Sequence, residues 1–86
     1  MEKWRISVDY RWEQAGPKRQ TGSDAEPKFL EFDSEDSAKA AINPDYLTSL
    51  WRPPHVDCRL TKISVEVQKE VNGRWERTAP PIDFNV

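Results

Sequence analysis

Eighty-six residues suffice for one core and are too few for two, and a chain of this size buries only about 60–65% of its unfolded surface. Charged residues reach 33% against 36% hydrophobic, but four Trp, three Phe and two Tyr supply enough buried area to argue against disorder. A net charge of −2 weighs against non-specific nucleic-acid binding, and the single Cys58 excludes an intrachain disulfide.

Residues 1–10, "MEKWRISVDY", alternate charged and apolar side chains and lack the continuous apolar run of a signal peptide. No stretch approaches the ~18–20 apolar residues of a membrane span. A cytoplasmic protein without membrane contact is expected. Within the same stretch Trp4, Ile6, Val8, Tyr10 and Trp12 fall on one side, with Arg5, Ser7, Asp9, Arg11 and Glu13 on the other. Period 2 in aromatic and β-branched residues predicts a half-buried strand.

Residues 14–27 hold Gly16, Gly22, Pro17 and Pro27 and read as a long polar loop. A short strand follows in "KFLEFD", with Leu30 and Phe32 on one face and Phe29 and Glu31 on the other. "DSEDSAKAAI" then changes period. Asp33 or Ser34 offers an N-cap, Glu35 and Asp36 suit the positive end of the helix dipole, and Ala38, Ala41 and Ile42 form the apolar stripe. Asn43-Pro44 ends that helix and starts a second, whose apolar side is Tyr46, Leu47, Leu50 and Trp51 before Pro53-Pro54.

From Asp57 the pattern returns to strand, with Ile63, Val65, Val67 and Val71 alternating against Ser64, Glu66, Gln68 and Glu70. Cys58 and Leu60 are out of phase with that set, which predicts a bulge or a strand start near Thr61-Lys62. Asn72-Gly73 makes a turn into "RWERT", and residues 79–86 form a Pro-led tail that is either an extended edge or loose.

The turn leaves Trp75 with two registers. A two-residue type I′ turn pairs Glu70 with Trp75 and sets the indole among Glu66, Gln68 and Glu70. A three-residue loop with Gly73 at the left-handed position pairs Trp75 with Lys69 and sends it to the core. The area gained by burying a Trp exceeds the difference between turn types and favours the core register. The other register makes Trp75 an anchor on a binding surface.

Little in the chain suggests catalysis. His55, Asp57 and Cys58 are the sole His/Cys grouping, too few ligands for a metal centre, and a solvated His with a small buried Cys accounts for them. No phosphate-binding glycine loop, nucleophile elbow or paired-carboxylate motif occurs. The expectation is a non-enzyme without cofactor or metal. Each Trp has an Arg neighbour, a pattern shared with single-stranded nucleic-acid platforms, but adjacent residues on a strand point to opposite faces. Glu31, Asp33, Glu35 and Asp36 form an acidic cluster that helix-start electrostatics largely explains, the sharper alternative being a patch that meets a basic partner as a nucleic-acid mimic would.

The order of elements predicts a single α+β domain over residues 1–86: a four-stranded antiparallel sheet, ββαββ, with one or two short helices on one face. The other face is polar and open to a partner. A strand, then "FLEFDSEDSAKAAI", then "ISVEVQKEVNGRWERT" with its VNG-x-W turn resembles small phage-encoded inhibitors, nearest to the β-sheet-plus-helix anti-CRISPR proteins. The resemblance implies a non-enzymatic viral protein that binds a host protein or ribonucleoprotein complex, such as a Cas protein, and keeps it from nucleic acid. Loop 14–27, Pro53-Pro54 and the tail depart from the family's shorter pattern. The residues expected at the partner surface are Arg5, Arg11, Glu31, Asp33, Arg74 and Arg77, with Trp75 if the turn has two residues. The alternatives are a nucleic-acid-binding module using Arg5, Arg11 and Lys62, and a bacterial domain whose partner the chain does not suggest.

Overall fold

A computed structural model describes residues 2–16, 20–24 and 26–86. The alternating N-terminal segment forms β1 (Trp4–Gln14), and the Val/Ile-rich segment forms β4 (Cys58–Val71). They run antiparallel, with Ile6 opposite Val67, Val8 opposite Val65 and Tyr10 opposite Ile63. Directly opposed residues share a face, so this register brings the apolar side chains of both strands together. Of the bulge and the strand start expected near Thr61-Lys62, the structure has the bulge: Arg11 pairs with Lys62 but Trp12 with Leu60, leaving Thr61 over. That one extra residue brings Leu60 back onto the core side, where it is buried with Ile63.

The remaining strands are β2 (Gln20–Ser23), β3 (Lys28–Phe32), β5 (Arg74–Arg77) and β6 (Ile82–Asn85). The expected four-stranded ββαββ sheet is thus corrected to six strands, though they fill four lanes. β2 and β3 share the outer side of β1, and β5 and β6 share the outer side of β4. Each outer lane breaks where prolines interrupt the ladder, at Pro27 and at Pro80-Pro81, because proline has no N–H to donate. Across the breaks the chain stays tied inward, by Asp24 N–H to the Tyr10 carbonyl at 3.2 Å and Thr78 N–H to that of Val67 at 3.1 Å.

Two expectations change as a result. The loop expected over 14–27 is shortened at both ends, since β1 continues to Gln14 and residues 20–23 pair with it; 17–19 and 25 lie outside the described residues. The tail takes the edge alternative, with Val65 opposite Ile82 and Ile63 opposite Phe84.

Between β3 and β4 the chain forms α1 (Glu35–Ala40) and α2 (Pro44–Leu50). Ser34, rather than Asp33, caps α1, its Oγ accepting from the Ser37 N–H at 3.1 Å. Asn43 caps α2 through Oδ1, which accepts from Asp45 and Tyr46. Ala38 and Leu47 are the fully buried helix residues, packed with Trp4, Ile6, Val8, Tyr10, Leu60, Ile63, Val65 and Val67 in one cluster. Small Ala38 lets α1 approach the sheet closely. Tyr46, expected on the apolar side of α2, is instead 46% exposed, with Leu50 and Trp51 half-buried. The Tyr10 hydroxyl donates to the Leu47 carbonyl at 2.6 Å and fastens the end of α2 to β1. Burial pushes that phenol up to about 12.

Candidate functional site

With both helices on one side, the other side of the sheet is uncovered. Strand alternation sends Arg5, Ser7, Asp9 and Arg11 there from β1. Their opposites on β4, namely Gln68, Glu66, Ser64 and Lys62, share the face, as do Phe29 and Glu31 from β3.

The hairpin turn determines what joins them. Asn72 and Gly73 have φ values of 51° and 78°, the left-handed pair of a type I′ turn, and Glu70 pairs with Trp75. The core register expected for Trp75 is therefore corrected: the indole lies on the uncovered face. It is nonetheless half-buried, because other side chains cover it there. The guanidinium carbon of Arg5 sits 4.3 Å from the Trp75 ring centre and 4.0 Å from that of Phe29. Phe29 approaches from the β3 side and Trp75 from the β5 side, so Arg5 is bracketed by two aromatic faces. Each such contact is worth roughly 0.5–2 kcal/mol, rising with desolvation.

A hydrogen-bond chain holds the arrangement. Arg5 Nε donates to Gln68 Oε1 at 2.6 Å, and Gln68 Nε2 donates to Glu66 Oε1 at 3.0 Å. Arg77 lies 3.9 Å from Glu66 at the edge of the group. Among the described residues no carboxylate forms an ion pair with Arg5, and no hydrogen bond engages its Nη atoms.

A second group lies further along the same face, where Asp9, Arg11, Asp24, Lys62, Ser64 and Asp83 line a polar recess of about 400 Å³. The Ser64 hydroxyl donates to Asp83 at 2.6 Å and Lys62 lies 3.2 Å away. The Ser64 bond first, then Lys62, holds the Asp83 carboxyl below its ordinary range.

Of the residues expected at a partner surface, Arg5, Glu31, Trp75 and Arg77 come together, and Arg11 shares their face at the recess. Arg74 does not join them. It pairs with Val71 and points to the helix side, because alternation along β5 puts it opposite in sense to Trp75. Asp33 is exposed at the bend between β3 and α1, off the sheet. Phe29 and Gln68 were not singled out from sequence. The signal for Phe29 was present in "KFLEF", whose alternation turns it away from Leu30 and Phe32. His55 is exposed and Cys58 is a half-buried free thiol; among the described residues no group of three or more His, Cys, Asp or Glu is placed to hold a metal ion. No described helix is long and apolar enough to cross a membrane.

Comparison with known proteins returns no match to a family model, to a curated protein or to a solved structure.

Proposed function

We propose that this chain is a non-catalytic protein-binding module that docks through the uncovered face of its sheet, around Phe29, Arg5 and Trp75. The observation that carries the reading is the bracketed guanidinium. Aromatic residues and Arg are the types enriched at binding hot spots, and here they are ordered before any partner arrives. Such ordering lowers the entropy lost on docking. Phe29 remains 45% exposed, so part of the stack is free to be covered.

The narrower form of this proposal is a phage inhibitor of the anti-CRISPR kind, acting in the host cytoplasm by occupying a Cas protein or ribonucleoprotein. It rests on the order of elements and the VNG-x-W hairpin alone. A nucleic-acid reading has one supporting observation, since aromatic rings and Arg also form base-stacking platforms. Against it, Glu31, Glu66 and Glu70 surround Arg5, and the chain carries a net charge of −2. That pattern repels a phosphate backbone.

The test compares retention of one host protein from lysate by the wild-type chain and by face and helix-side variants. Phe29→Ser and Arg11→Glu are expected to weaken retention, whereas Lys39→Glu on α1 leaves it unchanged, with a melting curve for each. Retention sensitive to Lys39→Glu and indifferent to Phe29→Ser moves docking to the helix side. Loss of binding on nuclease treatment, with a steep salt dependence, favours nucleic acid.

A further inference from the structure

We infer that the partner brings a carboxylate into the plane of the Arg5 guanidinium, between Phe29 and Trp75, and that basic side chains flank that carboxylate. The inference rests on docking through the uncovered face and adds the chemistry of what meets its centre. Two rings already cover the guanidinium, and Nε is engaged by Gln68 at 2.6 Å. The Nη edge remains. Among the described residues no hydrogen bond or ion pair satisfies it. Glu31 stands directly across from Arg5 on β3 without pairing to it, while Glu66 is engaged by Gln68 and Arg77. A docking partner removes the water at that edge. Arginine cannot shed its charge in response, so a partner without an acceptor leaves a buried, unpaired cation.

The fork of two Nη groups matches the two oxygens of a carboxylate, which makes a bidentate pair with each N–H nearly in plane. The surroundings define the rest of the complement. Glu31, Glu66 and Glu70 place negative charge around Arg5, with Arg77 at the edge beside Glu66, so the matching surface is one acid set among Lys or Arg. A run of phosphates meets the same Arg but sets its neighbouring charges against those three carboxylates.

The experiment is a side-chain NMR titration of the intact chain with two capped tripeptides, acetyl-Lys-Glu-Lys-amide and acetyl-Lys-Gln-Lys-amide, and separately with an oligothymidylate. The Glu peptide is expected to shift the Arg5 Nε–H and Trp75 Nε1–H resonances saturably and to bind about 10-fold more tightly than the Gln peptide. Arg5→Lys, which keeps the charge but not the fork, is expected to erase that difference. Equal shifts from both peptides, no shift at millimolar peptide, or a preference for oligothymidylate overturns the inference. The peptide comparison needs no variant, so it stands even where Arg5→Lys disturbs folding. A host protein lost by Phe29→Ser but held fully by Arg5→Lys leaves the docking face in place and removes the carboxylate. One held by Phe29→Ser removes the docking face itself.

Discussion

Gly22 lies against the indole of Trp12, its partner across the β1–β2 ladder: a Cβ at Gly22 would fall 2.7 Å from the ring's Cη2 and Cζ2. The missing side chain lets the ring fold over β2 and brings its bulk into contact with the outer lane. Gly22→Ala is expected to lower stability by about 1–3 kcal/mol, the usual cost of overpacking, read as a shift in the urea midpoint. Trp12 Nε1 is buried without an acceptor among the described residues, so Trp12→Phe removes an unpaired donor along with ring volume. In that background Gly22→Ala should cost clearly less. Equal costs in both backgrounds would show that the ring does not occupy this space.

Arg5 and Trp75 should be energetically coupled. A double-mutant cycle with Arg5→Met and Trp75→Ala is expected to give an interaction of about 0.5–2 kcal/mol in thermal or urea unfolding. The same side chain then both ties β1 to β5 and fronts the proposed interface. Strict additivity of the two single losses would dissolve the bracket.

The sidedness of the sheet is open to direct measurement. Ile6 and Val65 are 0% and 1% exposed, and truncating either to Ala should cost about 2–4 kcal/mol. Arg11→Ala, an exposed change on the opposite side, should stay within about 0.5 kcal/mol. Reversal of that ranking would reverse the faces.

Acid should loosen β6. Asp83 has its carboxyl held below its ordinary value of 3.8, with the Ser64 hydroxyl the leading cause and Lys62 the next. A group whose folded value is depressed contributes stability above its ordinary value and loses it as pH falls through the folded one. Hydrogen exchange at the β6 amides should therefore quicken relative to β1 below the ordinary value, after correction for the intrinsic rate. Ser64→Ala should flatten this dependence, since Asp83 then titrates nearer 3.8 in the folded chain. An unchanged profile in Ser64→Ala would assign the effect elsewhere.

Legibility from sequence followed how each element is specified. β1 carries its own signature in Trp4, Ile6, Val8 and Tyr10, and the phase slip between Leu60 and Ile63 marks an irregularity that a bulge or a strand start would equally explain. Ser34 and Asn43 cap their helices with the side chains that such positions favour. β2 was hidden because "QTGS" has no apolar alternation; it is a strand through its pairing with residues 11–14, and Gly22 matters for the ring it admits. β6 was ambiguous because its Pro-led approach reads equally as loop. For Trp75 the core is not the one place that offers cover. Arg5 and Phe29 supply cover on the other face, so the Asn72-Gly73 turn keeps its preferred two-residue form. The bracket itself could not be read along the chain, since it joins three strands separated by dozens of residues.

The proline breaks in the outer lanes bear on how the molecule behaves in company. Each exposed border offers unpaired backbone groups over only four or five residues before the ladder is interrupted. A neighbouring chain aligning along either border meets Pro27 or Pro80-Pro81, where there is no N–H to continue the pairing. Sheet-to-sheet propagation, the usual route from a small β-rich chain to a fibre, is thereby cut short at both sides, and the molecule can leave one broad face bare without its borders recruiting further copies.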